Sequence, residues 1–159
     1  MIGAIKIPEK RKGVLIGKNG SVKKGIEGET KTSINVNDSV EIEGEALDVL
    51  KAKEIVKAIG RGFSPEKALK LLDENFQLVV INLGNETEKT VKRMLSRIIG
   101  TRGTCKSKIE ILTKTDISVY GKTVSIIGNW SDVEKATEAV EMLLEGKPHS
   151  YVYRFLEGM

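Results

Sequence analysis

The chain repeats itself, and that repeat limits the possible folds more than any other feature. Gly17-Lys18-Asn19-Gly20 returns as Gly100-Thr101-Arg102-Gly103, a shift of 83 positions. The shift holds downstream. Ile26-Glu27 maps to Ile109-Glu110, Thr30-Lys31-Thr32 to Thr113-Lys114-Thr115, and Ile34 and Val36 to Ile117 and Val119. After one inserted residue, Val40, Ile42 and Gly44 map to Val124, Ile126 and Gly128, and Lys51-Ala52 to Lys135-Ala136. Register kept over such a span, with a single insertion, points to two copies of one folding unit. Modules of about 70 residues bury little core and are modestly stable alone. With 40% hydrophobic but only 4% aromatic residues, each core must be built from Ile, Leu, Val and Ala.

Hydrophobic periodicity gives each copy the order β-α-α-β-β-α, an α+β fold with a three-stranded sheet packed on helices. In the first copy a strand over Ala4–Ile7 ends at Pro8, and a short helix over Lys10–Ile16 runs into the first glycine turn. A second helix over Ser21–Gly28 is expected to stop at its glycine. Strands follow at Ser33–Val36 and Val40–Glu43, with Asn37-Asp38-Ser39 as the turn. Ala46–Ile59 reads as an amphipathic helix with Leu47, Leu50, Ile55 and Ile59 largely on one face. The second copy places strands at Gln77–Leu83, Asp116–Val119 and Thr123–Ile127, and helices at Glu88–Ile99 and Lys106–Leu112. Its last helix is expected to open with a capping box at Ser131-Asp132-Val133-Glu134 and to end near Gly146. Between the copies, Ser64 and Pro65 have the pattern of a helix start. The expected organisation is a first domain over 1–63, a helical linker over 64–75 and a second domain with its tail over 76–159. A helical linker implies modules held in fixed orientation, since a flexible tether is richer in Gly and Ser.

Several function classes are disfavoured by counting. A single cysteine, Cys105, allows no intramolecular disulfide and no cysteine-rich zinc site. Nothing in the sequence brings Cys105 beside the only histidine, His149, as a nucleophile and its base. Cys105 reads as a small helix residue. Gly-Lys-Asn-Gly-Ser lacks the spacing of a nucleotide phosphate loop. Carboxylates are scattered with no set at metal-ligand spacing. No enzyme activity, metal or cofactor is expected. No apolar run is long enough to span a membrane, and Met1–Lys6 lacks a long apolar signal core, so a cytoplasmic location is expected. The net charge of +4 and pI near 9.1 allow a polyanionic partner without requiring one.

The glycine turns supply the positive argument. Two glycines around two polar residues leave a surface that a nucleic-acid backbone can approach closely. Amides at the following helix start and its dipole favour phosphate. Lys18 and Asn19, and Thr101 and Arg102, flank that backbone. Lys10, Arg11, Lys12, Lys23 and Lys24 surround the first turn. Lys92, Arg93, Arg97, Lys106 and Lys108 surround the second, a clustering that suits a phosphate stripe. Arg97 and Arg102 are the stronger candidates, because arginine binds phosphate in bidentate fashion and stacks on bases.

Val14-Leu15-Ile16-Gly17-Lys18-Asn19-Gly20-Ser21-Val22-Lys23-Lys24-Gly25-Ile26 resembles the KH signature, and the element order resembles the eukaryotic-type (type I) KH topology. That resemblance implies that each turn clamps about four nucleotides of a single RNA strand. It also implies that bases lie between the second helix and the adjacent strand. Val22, Ile26, Ile34 and Val36 would then supply an aliphatic groove or its floor. The RNA-binding residues it implies are Gly17, Lys18, Asn19, Gly20, Val22, Lys23, Lys24 and Ile34 in the first copy. In the second they are Arg97, Gly100, Thr101, Arg102, Gly103 and Lys106.

The second copy resembles one family more narrowly. Thr113-Lys114-Thr115-Asp116-Ile117, Val124-Ser125-Ile126-Ile127-Gly128 and the tail Gly146-Lys147-Pro148-His149-Ser150-Tyr151-Val152-Tyr153 are similar to the tandem-KH proteins called partner of the Nob endonuclease. The resemblance implies binding near the 3′ end of precursor small-subunit rRNA, and partnership with the maturation endonuclease and with ribosomal or translation factors. Gly-Thr-Arg-Gly departs from the more glycine- or lysine-rich second turn common in that family. The standard first turn is archaeal in style and implies that both copies bind. The rival reading is a KH-type scaffold or translation regulator acting mainly through protein partners. Tyr151, Tyr153 and Phe155 would then dock a partner; the favoured expectation is that they fold back on the second module.

Overall fold

The computed structural model describes residues 1–158, and the chain divides into two compact units, Met1–Glu74 and the remainder from Asn75. The first unit runs β1 (Ile2–Ile5), α1 (Glu9–Ile16), α2 (Ser21–Thr30), β2 (Ser33–Val36), β3 (Val40–Glu43), α3 (Ala46–Gly60) and a short α4 (Pro65–Ala68). Single 3-10 turns occupy Lys18–Gly20 and Leu69–Leu72. Its sheet has the order β1-β3-β2 and is antiparallel throughout. The second unit runs β4 (Phe76–Asn82), α5 (Glu88–Ile99), α6 (Thr104–Thr113), β5 (Asp116–Tyr120), β6 (Thr123–Asn129), α7 (Trp130–Leu144) and α8 (His149–Glu157). Its antiparallel sheet has the equivalent order β4-β6-β5, and a 3-10 turn at Thr101–Gly103 links α5 to α6. The α+β fold of two type I modules is therefore present.

Each core is aliphatic, as the composition requires. Leu15, Ile26, Ile34, Ile42, Ile55 and Ile59 are fully enclosed in the first unit. Ile98, Ile109, Ile126, Val140 and Leu143 anchor the second. Several expectations need correction. The second helix does not stop at Gly28; it continues to Thr30 and ends where Lys31 turns left-handed at φ 57°. The buried Thr30 hydroxyl donates to the Ile26 carbonyl at 2.7 Å and lies 2.8 Å from the Thr32 hydroxyl. Those contacts offset the roughly 1 kcal/mol cost of glycine inside a helix. Thr113, Ile109 and Thr115 repeat the arrangement, with Lys114 at φ 58°, so α6 likewise runs past Leu112.

On α3, Ile55 and Ile59 are buried, but Leu47 and Leu50 are 81% and 51% exposed. At 100° per residue the inward stripe is Val49, Ala52, Ile55, Val56 and Ile59, and the two leucines fall on the opposite face. The helix expected to open with the capping box, α7, starts at Trp130, one residue before that box, and Asn129 caps it without a side-chain hydrogen bond; it is followed by a further helix, α8. Ser64 accepts from the Lys67 amide at 3.3 Å with Pro65 at the first helical position. The following Leu69–Leu72 turn packs against α3, burying Leu71. Among the described residues no helix is long and apolar enough to cross a membrane.

The tail forms α8, which packs on α6 and α7. It buries Val152 and Leu156, whereas Tyr151 stays 44% exposed. Tyr153 and Phe155 pack partly against the second core. Lys108 Nζ sits 4.2 Å from the Tyr153 ring centre.

Candidate nucleic-acid interface

Gly17 and Gly100 stop the preceding helices. They have φ of 72° and 74°, and their amides close on Gly13 O and Ser96 O, each at 2.9 Å. A side chain at either place would clash with its neighbours. A Cβ on Gly17 would sit 2.4 Å from Val22 Cγ2 and 2.9 Å from the Val22 nitrogen. On Gly100 it would sit 2.7 Å from Cys105 Cβ and 2.9 Å from the Cys105 nitrogen. Gly20 and Gly103, at φ 75° and 73°, differ: their Cβ positions meet only Lys24 Cε at 3.8 Å and open space, respectively. The first glycine of each turn is thus required by packing. The second is required by backbone conformation and leaves a bare outer surface.

The two turns superpose in dihedral space almost to the degree. Asn19 lies at φ 55°, ψ 28° and Arg102 at φ 57°, ψ 28°, both left-handed. Asparagine tolerates that region, whereas arginine pays about 1–2 kcal/mol for it. Gly20 N–H donates to Gly17 O and Gly103 N–H to Gly100 O, each at 3.2 Å. Lys18, Asn19, Thr101 and Arg102 are all exposed, and each turn leads directly into a ten-residue helix. First-turn amides without an intrahelical acceptor therefore lie beside bare glycine and cationic or polar side chains. That arrangement accepts a phosphate.

The groove side of each unit is more polar than the sequence reading expected. Ile26 and Ile34 are core residues with 0% and 1% exposure; Val22 and Val36 are half-buried. Facing β2 from α2 stand Lys23 and Glu27. The Ile34 amide donates to Glu27 Oε2 at 2.7 Å, and the Ile34 carbonyl accepts from Lys23 Nζ at 3.0 Å. Lys23 and Glu27 also pair at 3.2 Å. The second unit repeats the carboxylate contact and the ion pair: the Ile117 amide donates to Glu110 Oε2 at 2.8 Å, and Lys106 pairs with Glu110 at 3.3 Å. Sequence reasoning missed Glu27 and Glu110 as site residues, although both stand in the matched register of the repeat.

Other basic residues serve the fold. Arg11 Nε donates to Ile59 O and its terminal nitrogen to Phe63 O, each at 2.8 Å, satisfying carbonyls around the end of α3. Arg97 is half-buried and donates to the Lys147 carbonyl, while its own carbonyl meets His149 Nε2 at 2.9 Å. It ties α5 to the turn before α8. Lys18, Lys24, Lys92, Arg93 and Arg102 remain exposed around the turns. Burial raises the Cys105 thiol above its ordinary value, which suits a packed side chain rather than a nucleophile. Burial, reinforced by a hydrogen bond with Cys105, pushes the Tyr153 phenol up to about 12. Among the described residues no three His, Cys, Asp or Glu side chains gather to hold a metal.

Comparison with known proteins agrees with this geometry. A family profile for the second KH domain of partner-of-Nob proteins, described as a eukaryotic-type KH domain (KH-domain type I), matches residues 75–159. The KH domain profile matches residues 3–58. A KH domain-containing protein of Methanocaldococcus jannaschii is 46% identical over 98% of this chain and 73% of its own length. The chain belongs to the partner-of-Nob family of archaeal tandem KH proteins. Dim2p from Pyrococcus horikoshii is a family relative of known structure, with TM-score 0.92 and 46% identity over 100% of this chain and 99% of that one. Dim2p in a complex with a/eIF2alpha and rRNA from the same organism gives TM-score 0.92 at 45% identity, covering 99% and 93%. A protein of unknown function from Aeropyrum pernix gives TM-score 0.93 at 40% identity, covering 99% and 89%.

Proposed function

We propose that this partner-of-Nob family member binds single-stranded RNA through its two Gly-x-x-Gly turns, each gripping a short run of backbone. The observation that carries the reading is the identity of the two turns, left-handed at the same positions and bare at the second glycine. The RNA is the 3′ region of precursor small-subunit rRNA, and the role is assistance to its maturation in ribosome biogenesis. A relative solved together with rRNA and a/eIF2alpha supports an rRNA ligand and a translation-factor partner. The maturation endonuclease is the further partner. The chain contributes binding and positioning rather than chemistry. Gly17, Lys18, Asn19, Gly20, Val22 and Lys24 form the first grip, and Gly100, Thr101, Arg102 and Gly103 the second. Crosslinking to cellular RNA followed by mapping of contact sites tests this. Crosslinks concentrated at the 3′ end of small-subunit rRNA are expected; a dispersed or messenger-dominated pattern refutes the assignment.

A further inference from the structure

The two units diverge in the groove between the opening strand of each and its longest helix. In the second unit this groove, about 510 Å³, lies between β4 and α7. Val79 and Val133 form its floor, and Trp130, 62% exposed, stands beside them. Trp130 is the only tryptophan in the chain. Glu134, Glu138 and Glu141 line the wall, all exposed, at the spacing that puts them on one face of α7. Like charges at that spacing weaken a helix. No cation relieves them: among the described residues none of the three forms an ion pair. They persist in a chain whose net charge is +4.

The first unit has the same groove between β1 and α3, about 430 Å³, with other chemistry. In the register of the repeat, Ala46 stands where Trp130 does, Leu50 where Glu134 does and Lys57 where Glu141 does; only Glu54 matches Glu138. The fold therefore requires neither the tryptophan nor the run of acids. An exposed indole over an apolar floor is the kind of anchor that a protein partner covers. Three unpaired acids beside it attract a cationic partner and repel RNA. β4 is also the edge of its sheet, bonded only to β6. We propose that the β4–α7 groove docks a protein segment carrying lysine or arginine around an apolar side chain. The apolar side chain packs on Trp130, and the cations pair with Glu134, Glu138 and Glu141. This surface shares no residue with the glycine turns and stands independently of the RNA-binding reading.

The test uses the full chain with a fluorescein-labelled short peptide of alternating lysine and leucine, and a glutamate–leucine peptide as control. Anisotropy gives the affinity, and the emission of the sole indole reports whether the peptide reaches the groove. The unsubstituted protein is expected to bind the lysine peptide alone, with a change in indole emission. Exposed ion pairs each contribute a factor of about two to five, so Glu134→Gln, Glu138→Gln and Glu141→Gln together should weaken binding roughly tenfold or more. Trp130→Ala should weaken it by about tenfold or more, read by anisotropy. A matched variant, Glu41→Gln, Glu43→Gln and Glu45→Gln, removes the same charge from exposed positions of the first unit and should bind within about twofold of the unsubstituted protein. Equal losses in the two charge variants, or binding without a change in indole emission, show attraction to net charge alone and overturn the proposal. Failure to bind the lysine peptide, or unchanged affinity in either groove variant, overturns it too. Self-association of the unsubstituted protein that the groove variants abolish, seen by sedimentation, overturns it as well and makes the groove an interface between copies.

Discussion

Reversing the charge of both glycine turns tests the grip most directly. The variant carries Lys18→Asp and Asn19→Asp in the first turn, and Thr101→Asp and Arg102→Asp in the second. All four side chains are exposed, and Asn19 and Arg102 are left-handed, a conformation that aspartate tolerates. The fold should therefore survive. A unit charge about 6 Å from a phosphate in water contributes roughly 0.7 kcal/mol. Lys18→Asp changes the local charge by two and Asn19→Asp by one, so the first turn loses about 2 kcal/mol of binding. The second turn loses a similar amount by the same arithmetic. Additive turns then weaken affinity by about 1,000-fold, and each turn alone by about 30-fold. Anisotropy with a labelled single-stranded RNA at two salt concentrations gives the affinities, and circular dichroism melts check the fold. The salt slope should shrink by about 0.7 for each phosphate that the protein no longer neutralises. Affinity within twofold of the unsubstituted protein, with an unchanged melt, refutes the clamp.

Other substitutions separate packing from binding. Gly17→Ala should destabilise by about 3 kcal/mol or more in urea titrations, because the added carbon meets backbone as well as a side chain. Gly20→Ala should cost only about 1–2 kcal/mol, because its cost is conformational. Arg97→Ala should lower stability by about 1–3 kcal/mol through loss of its bond to the Lys147 carbonyl, with a smaller effect on RNA affinity than Arg102→Ala. The raised Tyr153 phenol sets a pH dependence. The unfolded chain releases that proton first, near 10, so this share of stability is present below 10 and is lost as pH rises towards about 12. Tyr153→Phe should flatten the fall in melting temperature across that window.

The parts of this structure that could be read from sequence are those fixed by local rules or repetition. The β-α-α-β-β-α order follows from periodicity, and the glycine turns from their recurrence with the same flanking pattern. The errors share one cause: specific packing and hydrogen bonds overriding what residue type and spacing suggest. Gly28 has the residue type of a helix stop, but the Thr30 hydroxyl and the Thr32 contact accompany a helix that runs on to Thr30. Leu47 and Leu50 have helical spacing, yet the face buried in the fold is the opposite one, which carries Val49 and Ala52. Arg97 stands a turn before the second glycine pair, as a phosphate ligand might be placed, but the tail returns to claim its guanidinium through the Lys147 carbonyl 50 positions away.

The glutamates show the limit most clearly. In sequence Glu27 and Glu110 are acids among basic residues and look like solvated helix positions or even an obstacle to RNA. Only the pairing of β2 and β5 on the outer edges of their sheets turns the Ile34 and Ile117 amides outward to meet them. Each acid therefore serves its strand edge: it takes up the outward backbone amide and pairs with the lysine one helical turn before it.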